Sequence, residues 1–169
     1  VEVEDGTFPV GSFYIPPAER VERELEKLSK RLHLEFLAAP EAKFPHEAVG
    51  MLRVGMYQRY WGGNADEGWT RWLLERYRFR YKTIRDADVN RGRLSRRHDV
   101  IILPSDHKSL ITGEGIEESY RKRRGRGVMV PEYPEEYRSG IGKEGVEKLK
   151  EFVEDGGTLI CLGESSTFA

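Results

Sequence analysis

Three kinds of hydrophobic pattern run along this chain, and each predicts a different element. Asp99 to Pro104, DVIILP, carries an unbroken apolar run from Val100 to Leu103, and Thr158 to Leu162 reads as a second buried strand; both suit a parallel sheet covered on two faces. Leu52, Val54 and Met56 alternate with Arg53, Gly55 and Tyr57, the period of a strand. Helical spacing predicts three helices. One spans Ala18 to Leu32, with Val21, Leu25, Leu28 and Leu32 on one face; one follows Gly62-Gly63 and carries Ala65, Trp69, Trp72 and Leu73; one spans Lys143 to Glu154, with Val146, Leu149, Phe152 and Val153 inward.

Leu52 to Tyr77 is thus a strand-turn-helix unit. Asn64 is placed to cap its helix, and Glu67, three residues on, to reach back as a capping-box carboxylate. Trp69 and Trp72 read as core packing. Around this unit, Phe8 to Ile15 reads as an edge strand or extended lead-in because of Pro9, Leu34 to Ala38 and Tyr81 to Ile84 as short strands, and Asp86 to Val89 as the start of a helical turn. Ser105 to Ile141 is long and polar with little periodicity, which predicts a functional or disordered loop. Strands that alternate with helices predict an α/β fold with a mostly parallel, doubly wound sheet. Residues 1–50 read as a strand-helix-strand lead-in, and residues 51–169 as the α/β domain itself.

Composition narrows the functional classes. With 169 residues, 38% of them hydrophobic, the chain has the size of one compact domain. Lys+Arg 28 against Asp+Glu 29 leaves a net charge of −1, so the overall field draws in neither nucleic acid nor an acidic membrane. The local exception is RKRRGRG at Arg121 to Gly127, beside Tyr120. Glu114, Glu117 and Glu118 precede it and Glu132, Glu135 and Glu136 follow, so it reads as a solvated, self-neutralising loop and no nucleic-acid partner is expected. No apolar run is long enough to span a bilayer, and a single cysteine excludes an intrachain disulfide. His33, His46, His98 and His107 are scattered without H-x-x-E or Cys/His spacing, so no metal ligands are expected. No glycine-rich phosphate loop is present, and Asp66 and Glu67 in the first turn after Gly62-Gly63 would repel a phosphate.

Candidate chemistry gathers where strands end, because open α/β sheets bind ligands outside the carboxyl ends of their strands. Four places qualify: Gln58 to Trp61, Arg85-Asp86 with Asp88, Ser105-Asp106-His107, and Cys161 with Glu164-Ser165-Ser166. The sharpest is TLICLGESS, which runs a buried strand into Cys161; a strand-to-helix elbow exposes a nucleophile and favours its thiolate. A reactive thiol needs a base and an orienting carboxylate, roles open to His107 and to Asp106 or Glu164. Against this stands the commoner use of a lone cysteine in an apolar strand, as a small buried hydrophobe. The residues expected at a site are Cys161, His107 and Glu164 as a catalytic set, and Gln58, Trp61, Asp106 and Ser165 as ligand-binding groups.

With these residues laid out, the chain resembles the class I glutamine amidotransferase-like domain found C-terminal to the catalytic domain in a group of bacterial zinc carboxypeptidase-like proteins. The resemblance rests on DGTFPVGSFYIP at Asp5 to Pro16, on RVGMYQ and DEGWTRWLLERY within Arg53 to Tyr77, on IRDADV at Ile84 to Val89, on the DVIILP strand, and on EGVEKLKEFVEDGGTLICL at Glu144 to Leu162. It is poorest over Lys108 to Met129. It implies a flavodoxin-like three-layer sandwich over residues 51–169, carried in a longer metallopeptidase-like chain. Zinc would sit in the peptidase domain of that parent, with no cofactor in this segment. Partners would be that peptidase-like domain or a second copy at the C-terminal edge, together with a small-molecule ligand, and the protein would be secreted or periplasmic.

Active members of the wider superfamily carry G-x-C-x-G-x-Q at the elbow, with a histidine and a glutamate downstream. Here Leu159-Ile160-Cys161-Leu162-Gly163-Glu164-Ser165 lacks the leading glycine and the glutamine, and no histidine follows Cys161. The expectation is therefore an ancillary, non-catalytic domain that supports or regulates a peptidase part or binds a small ligand at the carboxyl edge. A hydrolase or amidotransferase dependent on Cys161 is the alternative. A sheet that finishes on a strand and an elbow leaves one face of that strand bare, so the natural protein is expected to continue, or to pair with something at that edge.

Overall fold

The computed structural model describes residues 2–3, 6–9, 11–38, 47–60, 63–125, 134, 137 and 140–169. Trp61, His46, the end of RKRRGRG and most of PEYPEEY at Pro131 to Tyr137 lie outside the described residues. The chain divides into two compact units, Val1–Val49 and Gly50–Ala169.

In the first unit, β1 (Glu2–Val3) and β2 (Gly6–Thr7) pair antiparallel, and α1 (Val21–Leu32) follows. Val21, Leu25 and Leu28 are half-buried, as their stripe predicts. One expectation fails here, since residues 34–38 carry no strand and Leu34 and Leu37 are exposed; residues 11–15 carry none either, which leaves the extended lead-in of the two readings for Phe8 to Ile15. A short apolar run becomes a strand only where a neighbour takes its backbone hydrogen bonds. Leu34 N instead closes the end of α1 by donating to Ser29 O at 3.3 Å.

In the second unit the described residues form a parallel sheet of β3 (Val54–Tyr57), β4 (Tyr81–Ile84), β5 (Val100–Leu103) and β6 (Thr158–Cys161), in the order β4-β3-β5-β6. Val54 is in register with Tyr81 on one side and Val100 on the other, and Val100 with Thr158. The chain leaves β3 through α2 (Ala65–Arg76) to β4, then crosses by α3 (Asp86–Asn90) and a 3-10 turn (Leu94–Arg96) to β5 on the opposite side of β3. Next come α4 (Lys108–Thr112), α5 (Ile116–Arg124) and α6 (Gly142–Glu154); β6 and a 3-10 turn, Gly163–Thr167, complete the unit. This is an α/β fold with an all-parallel sheet whose strand order reverses between β3 and β5. Such a reversal splays the connections apart and leaves a crevice at the carboxyl ends of the two strands.

Alternate residues of the central strands feed two cores. Tyr57, Ile84, Ile101 and Leu103 meet Val89 of α3, Ile111 of α4 and Leu149 and Phe152 of α6, while Val54, Met56, Val100 and Ile102 meet Leu74 of α2. All four residues of β3 are buried, so its alternating sequence marks two covered faces rather than one wet and one dry. Gly55 brings the strand close to the His98 ring, where a Cβ would stand a tight 3.1 Å from Nδ1.

His98 is buried, and its Nδ1 has no hydrogen-bond partner among the described residues. Burial, and after it the charges of Arg97, Lys82 and Arg53, hold the imidazole below its ordinary value. The folded chain thus keeps the ring neutral, whereas the unfolded chain binds a proton as pH falls through about 6.5. Stability is complete above that value and is lost as the pH drops toward the lower folded value. The urea midpoint of the wild type should accordingly fall between about pH 7 and pH 5, and more steeply than that of His98→Phe. Parallel pH profiles for the two proteins would remove His98 as the cause.

α2 turns its tryptophans outward, contrary to the core packing that their spacing predicts. Trp69 and Trp72 are 68% and 55% exposed and meet edge to face at 6.0 Å between ring centres. The inward face carries Glu67, Arg71 and Leu74. Glu67 is buried and ion-paired with Arg71, and Arg71 Nη1 donates to Tyr81 Oη and to Thr83 Oγ1, both at 3.1 Å. Asn64 fixes the helix start. Its Oδ1 caps the helix as expected, accepting from Asp66 N at 3.0 Å and Glu67 N at 3.3 Å, while its Nδ2 donates to Ser105 O at 3.0 Å and so ties the cap to the end of β5.

The segment after β5 is more regular than its sequence predicts. α5 contains the pairs Arg121–Glu117 at 3.7 Å and Lys122–Glu118 at 2.9 Å. Charged pairs one turn apart support a helix that has little apolar periodicity to betray it. α6 follows its pattern except at Val153, which is exposed.

Candidate functional site

Each of β3, β4 and β5 hands the chain to polar residues at its carboxyl end, and burial forces those residues to find partners in one another. Tyr57, the last residue of β3, donates from Oη to Asp86 Oδ1 at 2.6 Å, and Gly140 N donates to Asp86 Oδ2 at 3.0 Å. Gly140 has a φ of 133° and lies against Gly113 and Thr112 O, so a side chain there would block this approach. Burial first, and then the Asp86 carboxylate, push the Tyr57 phenol well above its ordinary range. Tyr57 is therefore a permanent donor at neutral pH.

At the reversal between β3 and β5, Arg59 and Asp106 form an ion pair with only 9% and 7% of their side chains exposed. Arg59 donates from Nε to Asp106 Oδ2, Asn64 Nδ2 donates to the same oxygen at 3.2 Å, and His107 N donates to Oδ1 at 3.0 Å. Nη1 of Arg59 is buried and has no hydrogen-bond partner among the described residues. Nearby in sequence, Tyr60 carries the Arg85 guanidinium over its ring at 4.2 Å and meets Tyr137 edge-on at 5.8 Å. Ser165, wholly buried, ties the turn after β6 to the exit of β5: its Oγ accepts from Asp106 N at 3.0 Å and donates to Pro104 O.

Of the ligand-binding residues expected from the sequence, Asp106 and Ser165 thus stand at the carboxyl edge but are engaged in internal bonds. Gln58 is half-buried, with Nε2 3.5 Å from Glu67 Oε2, and Trp61 lies outside the described residues. Sequence reasoning passes over Tyr57, and it reaches Arg59 and Asn64 only as members of the loop Gln58 to Asn64, without singling out Arg59 and with Asn64 named only as a cap. The signal that was available is position, since Arg59 stands two residues past Tyr57 on the exit of a strand buried on both faces.

The expected catalytic set is placed differently. Cys161 ends β6 in register with Leu103, half-buried and packed against the core that contains Ile101 and Leu103. Burial alone pushes its thiol above the ordinary range, the opposite of what a thiolate nucleophile needs. His107 caps α4: its Nδ1 accepts from Ser109 N at 3.3 Å and lies 2.8 Å from Ser109 Oγ. Glu164 is exposed in the last 3-10 turn, where its N donates to Ser105 Oγ at 3.2 Å.

A shallow cleft of about 190 Å³ opens at the other end of the strands, between Arg93, Arg96, Lys148 and Asp155, over Phe152. It holds none of the candidate residues, and Ser95–Asp155 at 3.2 Å and Lys148–Glu151 at 2.9 Å already pair much of its wall. The carboxyl edge is the better candidate because it combines a strand-order reversal with a buried, incompletely paired cation. Among the described residues no three metal-ligating side chains converge, and no helix is long and apolar enough to cross a membrane. No protein-family model, no curated protein and no solved structure matches the chain.

Proposed function

We propose that this chain is an ancillary, non-catalytic α/β domain that binds a small ligand at the carboxyl edge of its sheet in support of a larger protein. The resemblance to the amidotransferase-like domain of zinc carboxypeptidase-like proteins makes a peptidase-like domain the natural partner of that larger protein. The strand order is consistent with a flavodoxin-like sheet, whose order places strand 1 between strands 2 and 3 and strand 4 beyond 3, and whose ligands enter at the 1/3 reversal. The observation that carries the non-catalytic part is the setting of Cys161, packed on the core with a thiol that burial makes less acidic. A nucleophilic cysteine sits in the reverse setting, electropositive and exposed, with a base in reach.

Thiol labelling separates this reading from a cysteine hydrolase. Cys161 in the native chain should react with a neutral thiol reagent roughly ten times more slowly, or slower still, than in urea-unfolded chain. The rate should rise with pH up to and beyond the ordinary thiol range, because burial alone shifts the thiol and it shifts it upward. Native labelling faster than that of the unfolded chain, with a midpoint below pH ~7.5, would establish an activated thiol and defeat the non-catalytic reading.

A further inference from the structure

We propose that Arg59 anchors the carboxylate of a small organic acid at the reversal between β3 and β5. This names the ligand of the small-molecule reading above and rests on it. Three observations converge on this guanidinium. It stands just past the carboxyl end of β3, beside β5, at the reversal of strand order where parallel sheets take their ligands. Its side chain is more than nine-tenths buried, with 9% exposed, so its charge is held in position before any ligand arrives. Its donors are unequally used: Nε is bonded to Asp106, whereas buried Nη1 meets no acceptor among the described residues.

Folded proteins pair buried donors, and a guanidinium edge without an acceptor is suited to an incoming oxygen. Asp106 cannot turn to supply it. Its Oδ2 is shared between Arg59 and Asn64 Nδ2, and its Oδ1 is held by its neighbour's backbone, His107 N. A carboxylate offers coplanar oxygens that match the planar guanidinium. The buried carboxylates of Asp106 and Asp86 also favour a singly charged guest over a phosphate dianion, since each like charge nearby raises the cost of every added negative charge. Arg85, half-buried over the Tyr60 ring, supplies a second cation on the same edge of the sheet.

The test titrates the whole chain with the singly charged acids acetate and propionate, their neutral amides acetamide and propionamide, and inorganic phosphate. Thermal melting and the NMR signal of the Arg59 Nε–H are followed in parallel. The acids should raise the melting temperature in a saturable way and shift the Arg59 signal. The amides and phosphate should bind at least tenfold more weakly, and Arg59→Lys, which keeps the charge but not the planar fork, should weaken acid binding at least tenfold. Should Arg59→Lys melt too low to titrate, the Arg59 signal of the wild type decides alone. Amides or phosphate binding as well as the acids, with the Arg59 signal unmoved, would overturn the carboxylate anchor while leaving a ligand-binding domain in place. No binding by any of these probes would overturn the anchor, whereas an activated Cys161 thiol would defeat the non-catalytic reading beneath it.

Discussion

Replacing Asp106 with alanine should destabilise the protein by about 3–5 kcal/mol, the cost of leaving one member of a buried ion pair without the other. Both side chains are almost wholly enclosed, so water cannot take over the Arg59 charge. Asp106 also accepts from Asn64, which caps α2, so the loss spreads from β5 to that helix. The double replacement Arg59→Met with Asp106→Leu should restore most of the loss, because two apolar side chains of similar volume need no mutual compensation. Urea denaturation of the two variants and the wild type decides the matter. An Asp106→Ala variant within about 1 kcal/mol of the wild type would mean that the pair is solvated in solution and does not organise the carboxyl edge.

Phe152→Ala should cost a similar amount, about 3–5 kcal/mol, for a different reason. Phe152 is enclosed by α6 and the core beneath β5, and Gly157 lies so close to its ring that any side chain at 157 would overlap it. Gly157 N donates to Phe152 O at 2.9 Å, which folds the entry to β6 tightly over the ring. A truncated side chain therefore leaves a cavity that glycine cannot fill, and the tight turn restricts collapse. Against a typical total stability of about 5–15 kcal/mol this is a large fraction, so the urea midpoint should fall steeply at nearly constant slope. Phe152→Leu should lose much less, about 1.5 kcal/mol or under. Equal losses in the alanine and leucine variants would show that ring volume is not what the site requires.

The two sites divide the sheet between them. Phe152 and the apolar cluster hold the strands from the side of α3 and α6, and the Arg59–Asp106–Asn64 network closes the carboxyl ends. At the amino ends Arg53 does comparable work. Its guanidinium and backbone N bind the Asp99 carboxylate, with Nη2 at 2.5 Å and N at 2.8 Å, and these bonds draw Asp99 down to about 2. That pair is open to solvent, so it aligns the entries of β3 and β5 without the energetic weight of the enclosed pair. Of two similar Arg–Asp pairs, one at each end of β3 and β5, only the pair at the carboxyl edge is enclosed.

Much of the α/β domain was determined by local sequence. β5 and β6 announce themselves as apolar runs, α6 by Val146, Leu149 and Phe152 at helical spacing, and α2 by Asn64 at its start, because each of these signals is complete within a few residues. β6 is nonetheless not the buried strand that its run predicts: Thr158 and Ile160 are exposed and Leu159 and Cys161 half-buried, because among the described residues it is an outer strand of the sheet. Tertiary structure alone decided how those elements face. The spacing of Trp69, Trp72 and Leu73 defines a helix face without saying which way it turns; in the fold Leu74 packs on the core, Arg71 bonds to Tyr81 and Thr83 of β4, and Glu67 follows them inward. The pairing at the candidate site was hidden for the same reason, although the stretches that supply it were visible. Arg59 and Asp106 are 47 residues apart, and no local pattern encodes that β5 lies beside β3 rather than beside β4. Cys161 lay in the right kind of turn for a nucleophile, but whether a strand's last side chain faces crevice or core is fixed by register, and register places it against the core.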